Sequence, residues 1–271
     1  MKLINIIILL VIVTVGCNNN EPITVNPFKD MLKIYSGATS INAYKVDVYL
    51  AESPFVGYNN IYVDVFDSVT QARPADWDLS FSPIMTMMMN GNEMKHSCPL
   101  EQPQFVAELK AYAGASVFVM PTTPMGNWRF EINYVNTMGE GNISFPIAVT
   151  EKENPAMISF VSEADETTKY FVALIEPQKP DVGTNDFEIG IYTKESMMRF
   201  PAVDDHTVHI NPEMPSMGHG SPNNVDPVDE GNGHYKGSVN FTMTGLWRIN
   251  MSIKDQDLVP VGANKYFEIA L

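Results

Sequence analysis

The sequence lacks the local signatures of most catalytic and nucleotide-binding sites. It has no G-x-S-x-G, H-E-x-x-H, C-x-x-C, P-loop or G-x-G-x-x-G pattern, and its Ser, His and Asp residues form no recognisable group. We therefore expect that the protein is not an enzyme. Basic residues are also scarce, because 17 Lys and Arg stand against 32 Asp and Glu, which gives a formal net charge of −15. This surplus of negative charge argues against nucleic acids and anionic lipid surfaces as partners.

Cysteine is nearly absent, and the first of the two cysteines follows a short apolar segment at the start of the chain. Residues 3–15 are apolar except at two positions, but they are too few to span a bilayer, which takes about 20 residues. They therefore predict a signal peptide over residues 1–16. Its last residues, Thr-Val-Gly-Cys, resemble the lipobox of bacterial lipoproteins, which implies cleavage before Cys17 and lipidation of that cysteine. The alternative is an ordinary secretory signal followed by a chance cysteine.

A lipid on Cys17 would attach the protein to a membrane on its extracytoplasmic side, at the periplasmic face or as an outer-membrane lipoprotein. Residues 17–41 would then be a lipidated tether and an irregular lead-in, since polar, proline-containing sequence beside an anchor serves as a spacer. Cys98 would remain as a lone thiol in an exported protein.

Short alternating segments rich in β-branched and aromatic residues follow, and no stretch has a sustained helical period. About seven such segments in about 110 residues are typical of a two-sheet β-sandwich. The chain length also indicates two domains, since a domain averages about 150 residues. We therefore predict an all-β protein with two tandem β-sandwiches, at residues 42–151 and 152–271.

Two thioethers and an imidazole lie within six positions of each other, at Met214, Met217 and His219. The prolines and glycines around them prevent a helix, so the donors would be displayed on a constrained loop. Thioethers prefer Cu(I), and imidazole suits copper and zinc alike. The pattern predicts a soft-metal site, which His234 at the start of the next strand could join. The alternative is that the methionines fill gaps in a core.

The same pattern occurs in the first half of the chain. Met94, His96 and Pro99 have the same spacing as Met217, His219 and Pro222, which lie 123 positions later in the chain. Flanking strands also repeat, at distances of 126 and 119 positions, as small loop insertions would produce. We interpret this as a tandem duplication with one metal site in each half. Cys98, two residues after the histidine, is a further candidate ligand in the first half.

Methionine is concentrated just before this first site. Five of the 17 methionines lie between Met85 and Met94, and an Asn-Gly pair separates them into two groups. Asn-Gly is a strong signal for a tight turn, so a hairpin would place the two groups of donors face to face. We include Met85 in the candidate site and leave open whether Met87, Met88 and Met89 are ligands or core residues.

Three motifs of the second half resemble the YtkA-like (FixH-related) extracytoplasmic β-sandwich domains. They are Met-Pro-Ser-Met-Gly-His-Gly-Ser-Pro at 214–222, Gly-His-Tyr-Lys-Gly at 233–237 and Phe-Thr-Met-Thr-Gly-Leu-Trp at 241–247. The first half is similar but divergent, with an insertion before its tryptophan and Cys98 where the second half has Ser221. The resemblance implies two immunoglobulin-like sandwiches and a role in handling heavy metals, particularly copper, or in metalloenzyme assembly.

These observations predict a lipid-anchored extracytoplasmic protein that binds copper, as Cu(I), through Met/His sites. Its role would be copper buffering, delivery or resistance, with a metal-donor or metal-acceptor protein as partner. The alternative is a metal-free structural or partner-binding surface lipoprotein with methionine-rich cores.

Overall fold

The computed structural model of the protein describes residues 26–41 and 43–271. The predicted signal peptide and the lipidation at Cys17 lie outside these residues. No helix long enough and apolar enough to cross a membrane occurs within the described ranges. The secondary structure there consists of eighteen β-strands joined by turns.

Each half of the chain contributes nine strands. The strands of the first domain are β1 Leu32–Ala38, β2 Tyr44–Leu50, β3 Gly57–Asp67, β4 Asp78–Met89, β5 Asn92–His96, β6 Leu100–Val106, β7 Ala111–Phe118, β8 Gly126–Asn136 and β9 Gly139–Ile147. The strands of the second domain are β10 Met157–Val161, β11 Lys169–Glu176, β12 Gly183–Thr193, β13 Thr207–Met214, β14 His219–Gly220, β15 Val225–Gly231, β16 His234–Phe241, β17 Leu246–Lys254 and β18 Pro260–Ala270.

The two domains have the same sheet topology. The first contains a five-stranded sheet β1-β2-β3-β7-β6 and a four-stranded sheet β5-β4-β8-β9. The second contains β10-β11-β12-β16-β15 and β14-β13-β17-β18, so every strand occupies the place of the strand nine positions earlier in the order. The fold is therefore two tandem immunoglobulin-like β-sandwiches, and the shared topology is what a duplication of one domain predicts.

The core of each sandwich lies between its two sheets and follows from the alternation of side chains along the strands. In β8, Trp128, Phe130, Ile132 and Tyr134 are buried while the residues between them are more exposed. The same period of two places Trp247 at the centre of the second core. Both tryptophans are almost fully buried, as expected for the largest side chains of a sandwich core.

The first sandwich begins earlier in the chain than predicted. The supposed lead-in contains a strand, because β1 pairs with β2 and so belongs to the first sandwich, which begins before residue 42. The alternating residues 78–82 begin a strand that continues through Pro83 into the methionine run. A proline is tolerated there because β5 pairs with β4 only from Met85 onward, which leaves that edge of β4 free at Pro83.

The five-stranded sheets of the two domains contact each other. Tyr58, Ala115 and Val117 of the first domain share a buried cluster with Phe171 and Tyr192 of the second. Beside this cluster, the backbone N–H of Ser97 donates a hydrogen bond of 2.8 Å to the carbonyl of Met197. The segment that follows β5 is therefore held against the second domain.

Candidate metal centres

The hairpin predicted from the methionine run and the Asn-Gly pair is confirmed. Asn90 and Gly91 both have positive φ, at 52° and 80°, as the two central residues of a type I′ turn require. The register of β4 and β5 places Met85 directly opposite His96 and Met87 opposite Met94. Side chains of directly opposite residues lie on the same face of a sheet, with their Cβ atoms about 5 Å apart.

A shorter hairpin occupies the same place in the second domain. Met214 at the end of β13 pairs with His219 at the start of β14. The backbone N–H groups of Met217 and Gly218 both donate to the carbonyl of Met214, at 3.1 and 2.9 Å, and close a tight turn. Met214 and His219 therefore correspond to Met85 and His96, and Met217 lies in the turn rather than on a strand.

In both domains the next residue along the chain fixes the tautomer of the histidine. Nδ1 of His96 lies 2.8 Å from the carbonyl oxygen of Ser97, and Nδ1 of His219 lies 3.0 Å from that of Gly220. A carbonyl oxygen only accepts, so Nδ1 carries the proton and the neutral ring has its lone pair on Nε2. A hydrogen bond from the ring nitrogen that does not face the metal orients a histidine for metal binding through Nε2.

In the first domain this lone pair faces a thioether. Nε2 of His96 lies 3.2 Å from Sδ of Met120. Burial lowers the pKa of His96, the hydrogen bond to the Ser97 carbonyl opposes this, and the charge of Lys194 lowers it further. The ring is therefore neutral near pH 7, and two unprotonated donor atoms face each other. With bonds of about 2.0 Å to nitrogen and 2.3 Å to sulfur, a tetrahedral ion would separate them by about 3.5 Å, which is close to the observed distance.

A tryptophan positions the histidine and this methionine in each domain. The indole N–H of Trp128 donates to the carbonyl of Met120 at 2.9 Å, and that of Trp247 donates to the carbonyl of Met243 at 3.0 Å. Edge-on contacts also join these indoles to the histidines, with ring centroids 5.3 Å apart in the first domain and 5.8 Å apart in the second. Met120 and Met243 are thus equivalent, and neither was among the candidate ligands predicted from the sequence.

A glycine beside the buried methionine leaves room for its side chain. A Cβ atom on Gly126 would lie 3.1 Å from Cε of Met85, and a Cβ atom on Gly245 would lie 3.0 Å from Cε of Met214. Both approaches are tighter than most contacts in packed interiors, so any larger residue would displace the thioether. The two domains therefore share the histidine, the tryptophan, two methionines and the glycine.

We define the first-domain centre as Met85, His96 and Met120, and the second-domain centre as Met214, His219 and Met243. The equivalent methionines Met85 and Met214 are both buried, at 0% and 3% exposed, but the histidines differ, because His96 is 5% exposed and His219 is half-buried. Met120 is half-buried, and its equivalent Met243 is 37% exposed. Met217, at 59% exposed, lies at the surface of the second-domain centre. The second centre is therefore more open to solvent than the first, whose histidine is buried.

The predicted ligand Cys98 is a buried core residue of the first domain, only 3% exposed. Burial raises the pKa of its thiol well above the ordinary value. Since a metal takes the thiolate, a thiol held in its protonated form is a poor ligand. The centre defined above therefore does not include Cys98.

The expectation that His234 joins the loop of Met217 and His219 was wrong. His234 lies on β16 in the five-stranded sheet, and both of its ring nitrogens are taken by carboxylates. Nε2 lies 2.8 Å from Oε1 of Glu101 in the first domain, and Nδ1 lies 2.8 Å from Oε1 of Glu188. The hydrogen bond to Glu101 is the largest of the effects that raise the pKa of His234 to about 9. This histidine joins the two domains instead.

The described part of the chain has no metal site of the common His, Cys, Asp and Glu kind. No group of three or more His, Cys, Asp and Glu residues there has the arrangement to hold a metal ion. Each of the two centres defined above contains two thioethers and one imidazole.

No curated protein matches the sequence of this chain. Among solved structures, a chimeric tandem of titin Z1Z2 domains matches with 12% identity and a TM-score of 0.23, covering 81% of this chain and 93% of that one. A DUF4785 family protein from Legionella pneumophila matches with 7% identity and a TM-score of 0.24, covering 84% of this chain and 57% of that one.

The match to a protein family lies in the second domain. The matched residues, 164–252, contain strands β11 to β16 and most of β17. They include the hairpin of Met214 and His219 and the tryptophan that positions it. Residues 164–252 match the model of the YtkA-like family, and this half of the chain thus contains a YtkA-like domain.

Proposed function

We propose that this protein binds Cu(I) at the first-domain and second-domain centres and serves to buffer or deliver the ion rather than to catalyse a reaction. The observation that carries the proposal is the contact between Nε2 of His96 and Sδ of Met120, at 3.2 Å. Core packing gives no reason to aim an unprotonated nitrogen at a thioether, whereas a soft cation between them would satisfy both atoms.

The ligand chemistry favours a soft monovalent ion over a harder one. Each centre offers two thioethers and one imidazole, all uncharged, and thioether ligands select Cu(I). Calcium and magnesium take oxygen ligands, and structural zinc is most often bound by thiolates and imidazoles. Thioethers do not titrate, so the sulfur ligands would persist in acidic surroundings. The net charge of −15 would also raise the local concentration of cations.

The proposed location follows from the sequence. A lipid on Cys17 would hold both domains at the extracytoplasmic face of a membrane, where a metal-donor or metal-acceptor protein could exchange copper with them. Three uncharged ligands per centre suit reversible transfer, since they hold an ion without enclosing it in a charged cage. The more exposed second-domain centre would exchange faster than the first-domain centre.

Metal titration of the chain with Cys17→Ser tests this function. The protein is titrated with Cu(I) in reducing buffer against a chromogenic Cu(I) chelator. We expect His96→Ala and His219→Ala each to remove one tightly bound ion and the double variant to remove both. His209→Ala is the matched control, because His209 is exposed and contacts Asp226 outside either centre. Unchanged stoichiometry in the double variant would reject the proposal.

The alternative function is a metal-free structural or partner-binding lipoprotein. It is favoured by the burial of Met85 and Met214, which are 0% and 3% exposed and belong to the two hydrophobic cores. If it is correct, the wild-type chain binds no Cu(I) in the same titration. Replacing either methionine by leucine would then leave the protein as stable as before, since Met-to-Leu exchange conserves volume.

A further inference from the structure

We propose that Met87 and Met94 form an additional, outer soft-cation site in the first domain, through which Cu(I) enters and leaves the less exposed first-domain centre. The inference rests on the proposed function and extends it with a second ion and a route. Three observations support it: the register of the β4–β5 hairpin, a gradient of exposure along one face of that hairpin, and the contrast with the second domain.

The register places the outer pair next to the inner one on the same face. Met87 is directly opposite Met94, two positions along from the pair formed by Met85 and His96. Side chains two positions apart in a strand point the same way and are about 6.6 Å apart. Because Met85 and His96 point into the sandwich, Met87 and Met94 lie on that face as well, at the mouth of the first-domain centre.

Exposure increases outward along this face. Met85 is 0% exposed, Met87 and Met94 are half-buried, and Met89 at the end of the strand is 51% exposed. The row of thioethers thus runs from solvent to the buried centre. On β8, the residue opposite Met87 is Gly126, which has no side chain to cover the row from that direction.

The second domain shows what the longer hairpin of the first domain adds. Its histidine and buried methionine are five positions apart, against eleven in the first domain, and β14 comprises only His219 and Gly220. The second-domain centre opens to solvent beside Met217, so an ion needs no relay to reach it. We therefore expect two ions in the first domain and one in the second.

Transfer along the row is a ligand exchange without redox chemistry. The ion remains Cu(I), and each bond to an outer thioether sulfur is replaced by a bond to Sδ or Nε2 of the first-domain centre. Two thioethers alone bind more weakly than two thioethers with an imidazole, so the outer site fills last and empties first. This order is what an exchange site requires.

The test uses the full chain with Cys17→Ser and His219→Ala, in which the first domain alone retains its histidine ligand. In this background the double variant Met87→Leu and Met94→Leu keeps the apolar volume of the hairpin. Met138→Leu is the control, because Met138 is exposed in the turn between β8 and β9. The measurements are Cu(I) stoichiometry and the stopped-flow rate of Cu(I) transfer to a chelator.

We expect the double leucine variant to bind one ion fewer and to transfer the remaining ion about tenfold more slowly, with unchanged affinity, while the control behaves as its parent. Methionine-methyl NMR gives a second measurement, in which the Met87 and Met94 signals should shift only after those of Met85. Stoichiometry and rate equal to those of the control would overturn the outer site while leaving the proposed function intact. A parent chain that binds no Cu(I) at all would overturn both.

Discussion

Replacing Glu101 by Gln should weaken the contact between the domains in a pH-dependent manner. Glu101 accepts hydrogen bonds from His234 at 2.8 Å and from the hydroxyl of Tyr58 at 2.9 Å. Burial alone would raise the pKa of Glu101, but the hydrogen bond and charge of His234, with the tyrosine contacts, lower it overall. A glutamine keeps an acceptor for Tyr58 and removes the charge that stabilises the imidazolium of His234.

The magnitude follows from the pKa of His234. Its increase from 6.5 to about 9 corresponds to about 3 kcal/mol of stabilisation. Because the folded-state pKa is the higher one, this contribution is fully present below pH 6.5 and is lost as the pH rises through about 9. The wild-type free energy of unfolding should therefore fall by about 2 kcal/mol between pH 7.5 and pH 9.5 from this group alone. In Glu101→Gln one of the two carboxylates is gone, so the pKa of His234 should drop by about 1 to 2 units.

Histidine NMR titration measures the pKa of His234 directly, and urea denaturation at several pH values measures the linked stability. Glu195→Gln is the matched control, because it removes the same charge from an exposed ion pair with Arg199. The control should leave the pKa of His234 and the alkaline loss of stability as in the wild type. A wild-type pKa near 6.5, or one unchanged by Glu101→Gln, would refute the assignment of His234 as a charged link between the domains.

Three further predictions concern the metal centres. Gly245→Ala brings a Cβ atom to 3.0 Å from Cε of Met214 at a φ of +135°, so it should cost about 1–3 kcal/mol in urea denaturation and weaken Cu(I) binding at the second-domain centre. Gly183→Ala, with a φ of +114° and open space around it, should show the backbone strain without the binding defect. Because burial lowers the pKa of His96 below its ordinary value of 6.5, protons should compete with Ag(I) at the first-domain centre only below that pH, and a loss of affinity that begins above it would contradict this. The buried thiol of Cys98 should resist alkylation in the folded protein, and Cys98→Ser should leave Cu(I) stoichiometry unchanged; a lost ion would restore Cys98 as a ligand.

Local patterns made much of the fold predictable. Period-two alternation marks β8 and β17, whose tryptophans are buried as expected for core residues. The Asn-Gly pair at 90–91 specifies the hairpin turn, and the hairpin in turn brings Met85 opposite His96. These features depend on residues close together in the chain, where turn chemistry and side-chain alternation decide the geometry.

The parts that could not be predicted depend on contacts between distant segments. Met120 follows the end of a strand, and its position is set by a hydrogen bond from the indole of Trp128 to its backbone carbonyl. His234 is near His219 in the chain, but its strand belongs to the other sheet. There it meets Glu101, 133 positions away. A sequence signal for Met120 did exist, since Met120 and Met243 both shortly precede a core tryptophan.

Both ligand hairpins lie at the margin of a four-stranded sheet, where β5 and β14 each have a single neighbour. Between its methionine and its histidine, the first-domain hairpin is six residues longer than the second-domain hairpin. The order of the strands in the two domains is nevertheless the same. Insertions at this margin extend into solvent and leave the packed interior unchanged. The number of sulfur atoms at such a site can therefore change with the length of the hairpin alone. The hairpin of Met214 and His219 could be lengthened by design without changes to the rest of the sandwich.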